Sequence, residues 1–193
     1  MILALSALAL SAAAPPPTNS KAETARWMVH MIDWGVLSTI STRAKGTKTG
    51  APFGNPISYA DDYKTGAPYF FVSGLDASMV DIFEAKNSTS YVSLTLSEAS
   101  LYTQKQNTCM PSAPGGDPES PLCARLVLSG NFVNISGTPE EAQAKEVLFE
   151  RHASMRDWPV DHNWFVGKVL APLPFFSGAN PASNDIARPN APA

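Results

Sequence analysis

Charge is scarce in this chain. Lys, Arg, Asp and Glu make up 16% of its 193 residues, against roughly a quarter in ordinary soluble domains. The net charge of −3 comes with no cluster of Lys and Arg. That excludes nucleic acid as a partner, because a phosphate backbone is recognised through a basic patch. Histidine occupies only His30, His152 and His162, too scattered for a metal cluster. No Gly-x-Ser-x-Gly elbow surrounds any serine, so a hydrolase triad has no support. No apolar run approaches the ~20 residues that would cross a bilayer. The length fits one domain with a sizeable core.

Cysteine is nearly absent too. Cys109 and Cys123 are the pair, and they bracket the Pro- and Gly-rich segment 110–122. Residues Met1 to Ala14 are apolar or small and carry no charge, with Ala12, Ala13 and Ala14 in place for cleavage, as in a secretory leader. In that setting an even cysteine count reads as one disulfide, the alternative being two unrelated buried thiols. Two acceptor motifs for N-linked glycans, Asn87-Ser88-Thr89 and Asn134-Ile135-Ser136, agree with an extracytoplasmic protein. The expected organisation is a leader over 1–14, a Pro-rich linker over 15–21, one folded domain over 22–178, and a loose Pro-, Ala- and Asn-rich tail over 179–193.

What is present is mostly strand pattern. Val36–Thr42, Asn55–Tyr59, Tyr69–Ser73, Tyr91–Leu96, Cys123–Ile135 and Trp164–Val169 read as strands, the fifth long enough to carry a bulge. Ala22–Ile32 has apolar residues at helical spacing and Thr24 near its start. Asp76–Ala85 reads as a helix with Met79, Val80 and Phe83 on one face. Thr138-Pro139-Glu140-Glu141 opens a third helix that runs to about His152. Asp61 and Asp62, followed by Lys64 and Gly66, read as a solvated turn rather than a calcium site. Pro172 and Pro174 cannot donate to a central ladder, so the segment after Lys168 must be an edge, a bulge or a disrupted strand. The whole predicts a mainly β fold with peripheral helices: an antiparallel barrel, closed or split, of six or seven strands.

The densest signal is Arg151–Phe165, which holds His152, Trp158, Pro159, His162, Asn163 and Trp164. It is too polar for plain core and too aromatic for a plain linker, and it reads as a tight corner between a helix and a strand. For His152 the ordinary reading is a helix-terminal imidazole, and for His162 a hydrogen bond that locks the corner. Together with Asp33–Thr42, which includes Trp34, and with Ser120–Cys123, this stretch resembles the CREG family of secreted glycoproteins. The resemblance covers roughly Arg26 to Lys168. It implies a split β-barrel of the FMN-binding, pyridoxamine phosphate oxidase-like type, a homodimer, and the secretory or endosome–lysosome route. Animal members of that family are regarded as lacking flavin and oxidase activity.

The resemblance also points to the unit Phe70–Asp81, from which flavin-binding relatives draw much of their phosphate site. Ser73, Ser78 and the helix start could donate there, but the unit contains no Lys or Arg, while Asp76 and Asp81 would face a dianion. Arg43 and Lys45 lie past the first strand and look like exposed turn residues. The expectation is therefore a non-catalytic binding or signalling module with no cofactor, partnered by a second copy and by a glycan-dependent receptor or trafficking protein. The alternative is an FMN-dependent oxidoreductase that would use Ser73, Ser78 and Arg43.

Overall fold

The computed structural model of the chain describes residues 20–43, 45–46, 48–62, 65–83, 90–101, 109, 116–121 and 123–177. In chain order the elements are α1 (Lys21–Met31), β1 (Trp34–Ile40), β2 (Pro52–Ser58), β3 (Ala60–Asp61), β4 (Pro68–Ser73), α2 (Ala77–Phe83), β5 (Tyr91–Ser97), β6 (Arg125–Asn134), α3 (Glu141–Arg151) and β7 (Trp164–Ser177). Short 3-10 turns cover Glu98–Ser100, Ala153–Asp157 and Val160–His162. The strands make one seven-stranded sheet in the order β2-β1-β5-β6-β7-β4-β3, antiparallel throughout. β2 and β3 are left as free edges. Mainly β with peripheral helices is what the sequence pattern predicts.

The sheet buries two groups of side chains. Leu37, Phe70, Val72, Val92, Leu94, Leu126 and Phe132 pack with Trp27, Met28, Val29 and Ile32 of α1 and with Met79 and Ile82 of α2. Behind β4 and β7, Tyr69 and Val166 meet Ala144 and Leu148 of α3, with Met155 and Ile135. β4 therefore faces apolar surroundings on both sides, which is why it reads as an unbroken apolar run rather than an alternating one. Gly167 is required where β7 crosses β6, because a Cβ there would collide with the Phe132 ring.

Several expectations need correction. Thr24 does not cap α1; its Oγ1 donates 2.9 Å to the carbonyl of Ser20, the residue that precedes the helix. α2 buries Ser78, Met79, Asp81 and Ile82, whereas Phe83 is exposed. Met79 and Ile82 enter the core, Phe83 only lays its ring on Phe132 and Phe165, and Asp81 is carried inward. α3 begins at Glu141, two residues beyond the expected start, because Thr138 Oγ1 bonds the Ile135 carbonyl and closes a turn first. Asp61 belongs to β3, and both Asp61 and Asp62 are buried, not solvated.

β7 does continue past Lys168 to Ser177, through both prolines. β4 pairs with it only over Trp164–Lys168, and beyond that point it has β6 alone as a neighbour. It is an edge there, so a proline nitrogen on the open side removes no ladder bond. The expected irregularity in β6 is also present, as a register shift between Ser129 and Asn131. Cys109 and Cys123 form a disulfide with Cα atoms 5.4 Å apart.

Candidate functional site

The unit β4–turn–α2 and the end of β1 meet at Asp81. Residues 39–43 run off β1 with two hydroxyls, a main-chain N–H and a guanidinium turned toward one point. α2 delivers the Asp81 carboxylate to that point from the opposite side. Thr39 Oγ1 and Arg43 Nη2 donate to its Oδ2 at 2.9 and 3.2 Å. Thr42 N, Thr42 Oγ1 and Arg43 Nε donate to Oδ1 at 2.9, 3.3 and 3.0 Å. Burial alone would raise the carboxyl's pKa. The bonds from Arg43, Thr42 and Thr39 overcome that and hold it below the usual aspartate range. The Arg43 guanidinium also lies over the Phe53 ring of β2, 4.1 Å from its centre. Arg43 is thus fixed on two sides, not an exposed turn residue as its sequence position implies; Lys45 is exposed as expected.

The residues named for a flavin phosphate do not come together as a phosphate site. Ser73 Oγ donates to the His162 carbonyl and accepts from Leu75 N, so both of its roles are taken. Arg43 is engaged by Asp81. Ser78 Oγ is buried with no hydrogen-bond partner, but Ser78 is fully enclosed, and its N–H is held by Asp76 Oδ1 at 2.8 Å. Asp76 in turn accepts from Asn55 Nδ2 at 2.9 Å. Among the residues named here, a dianion would meet two carboxylates and a guanidinium already paired with one of them. These side chains, as placed, do not fit the phosphate of FMN.

The aromatic corner is a stack. Phe71 of β4 lies against Trp164 (ring centres 5.2 Å) and Trp158 (6.0 Å), and the two indoles are 4.7 Å apart. His162 caps the outer side of Trp164 at 5.8 Å and bonds Asp161 at 2.9 Å. Trp164 Nε1 donates to the Pro159 carbonyl at 2.6 Å, closing the corner across Asn163, whose φ of 51° is left-handed. His162 does fasten the corner, though its backbone carbonyl does so by receiving Ser73. His152 caps α3 and reaches the Tyr59 carbonyl through Nε2 at 2.8 Å. Trp34 stands apart from these groups, exposed at the start of β1.

A second polar cluster went unread in the sequence. Asp61, on β3, is contacted by Arg26 Nη1 at 2.6 Å, His30 Nδ1 at 3.2 Å and Arg151 Nη2 at 3.1 Å. Arg151 also donates to the carbonyls of His30 and Ile32 at the end of α1. Behind it, Tyr59 is pushed far above the usual phenol range by burial, with Arg151 opposing, and donates to the Val29 carbonyl. A third pairing joins α3 to the sheet: Glu140 takes Lys168 Nζ at 2.6 Å and Tyr69 Oη at 2.7 Å, and those two bonds lower its pKa. One signal for Asp61 and Asp81 existed in the sequence, namely an Asp beside strand or helix apolar residues in a charge-poor chain.

No group of three or more His, Cys, Asp or Glu side chains among the described residues could hold a metal ion. No helix among them is long and apolar enough to cross a membrane. Asn134 is exposed at the end of β6, with its Oδ1 accepting from Ser136 N. Asn87 and most of segment 110–122 lie outside the described residues.

An open antiparallel seven-stranded sheet with three helices, and solved structures that superpose on it, define a split barrel. A heme binding protein from Mycobacterium smegmatis aligns with a TM-score of 0.64 and 19% identity, over 88% of this chain and 58% of that one. A protein of unknown function from Agrobacterium tumefaciens aligns at 0.61 and 18%, over 87% and 61%. At such identity the likeness concerns the fold alone. The family model described as "CREG, beta-barrel" matches residues 16–170. Human Protein CREG1 is 37% identical over 157 residues, 80% of this chain and 65% of that protein. The chicken protein of the same name is 34% identical over 165 residues, 83% and 79% of the two chains. Human Protein CREG2 is 36% identical over 163 residues, half of its own length. The chain belongs to the CREG family.

Proposed function

We propose that this protein is a secreted, non-catalytic binding or signalling module on a split-barrel scaffold that has given up flavin. The observation that carries this is the Arg43–Asp81 pair: the guanidinium named above for a flavin phosphate is held by an internal carboxylate. The disulfide and the exposed acceptor Asn134 support an extracytoplasmic life, with a glycan as the handle for a receptor or trafficking protein. A homodimer is part of the reading. β1 and β5 carry no charged residue, and they expose Trp34, Ile40 and Tyr91, a combination unusual for surface that stays in water.

The test is the visible spectrum of the purified protein, with added FMN and after denaturation. Colourless protein that leaves FMN fluorescence unchanged is expected. Flavin bands, with stoichiometric FMN released on unfolding, would instead establish the oxidoreductase alternative. Light scattering on the same sample is expected to give twice the chain mass.

A further inference from the structure

The groups around Asp81 divide by origin. Every donor comes from residues 39–43, and the only acceptor comes from α2. A forked guanidinium, two hydroxyls and a main-chain N–H aimed at one point are the donor set that recognises a tetrahedral oxyanion. Besides the carboxylate, the Phe53 ring of β2 supports the guanidinium. The Arg43 side chain keeps 19% of its surface open, while the Asp81 side chain at the centre of the donor set is fully buried.

We propose that residues 39–43 form an oxyanion site of the phosphomonoester class, which the chain's own Asp81 occupies as an internal ligand. This rests on the flavin-free reading above and deepens it: the site is filled from within, not dismantled. Asp81 is buried on the helix face it shares with Ser78, Met79 and Ile82, and its carboxylate satisfies donors that an external anion would otherwise take. In the native protein inorganic phosphate finds the cup closed. Without the carboxylate, phosphate has a forked cation, two hydroxyls and an N–H to bind.

The experiment compares wild type, Asp81→Ala and the double variant Asp81→Ala with Arg43→Ala, melted in sodium phosphate and in sodium chloride at equal ionic strength. Wild type is expected to melt at the same temperature in both salts. Asp81→Ala is expected to melt roughly 10 °C lower in chloride, one partner of a buried pair having been removed. It should regain about 5 °C in phosphate, saturably, and the double variant should regain nothing. Equal melting of Asp81→Ala in the two salts overturns the proposal, as does an equal phosphate gain in the double variant. Should Asp81→Ala emerge unfolded in chloride, its refolding yield is measured in both salts: recovery in phosphate alone supports the proposal, and recovery in neither overturns it. Failure here with a colourless native protein removes this inference only. A flavin spectrum from the native protein removes the reading beneath it.

Discussion

Asp61 and Asp81 are two buried carboxylates in a chain poor in charge, and they are put to different ends. Asp61 gathers Arg26, His30 and Arg151 from two helices that are distant in sequence. Its cations have further duties at main-chain carbonyls, so the cluster is a joint between α1, β3 and α3. Asp81 takes one cation and fills its remaining valence with threonine hydroxyls and an amide from a single short stretch. The first arrangement holds elements together. The second saturates one compact donor set, and that is the arrangement a bound anion would have. Burial and sign of charge are alike at the two sites; the origin of the partners separates them.

The comparison breaks most visibly at Asp61. Asp61→Ala leaves two guanidinium groups facing an empty position and is expected to cost about 4 kcal/mol in urea unfolding. No phosphate should restore it, because its donors converge from separate elements. A loss below about 1 kcal/mol, or rescue by phosphate, would erase the distinction. Next comes Arg43→Lys, which keeps the charge and loses the fork. It should cost about 2 kcal/mol by the same measurement. An unchanged midpoint would mean that the two-toothed geometry at Asp81 contributes nothing.

The smallest effect is the acid limb. The folded-state pKa values of Asp81, Glu140 and Glu141 all lie below their ordinary values of 3.8, 4.5 and 4.5. Depressed acids stabilise the fold above the unfolded pKa, and that stability drains as pH falls through the folded one. The melting temperature should therefore hold from neutrality to about pH 5 and decline below about pH 4. Asp81→Asn should flatten that decline by up to one proton, about 1.4 kcal/mol per pH unit. A decline of undiminished slope would show that Asp81 does not titrate with unfolding.

The strands were legible because period-2 alternation and β-branched runs depend on neighbours in sequence. β4 stood out as Tyr69–Ser73 because it is an unbroken apolar run, and the prolines of β7 narrowed that segment to an edge, a bulge or a disrupted strand. The aromatic corner was legible by composition, though its stack on Phe71 joins residues about ninety apart. What stayed hidden was the pairing of isolated charges. Asp61 and Asp62 look like any polar turn until α1 and α3 close over them. Arg43 looked free because its partner lies 38 residues on, on a helix whose inward face carries an acid beside its apolar residues.

Arg151 bonds the end of α1 across 119 and 121 residues of sequence. During synthesis, the amino-terminal helix therefore has to wait. Until the ribosome has released nearly four-fifths of the polypeptide, that helix lacks its clasp, although Leu37 and Phe70, which share a core with Trp27 and Met28, have long since emerged.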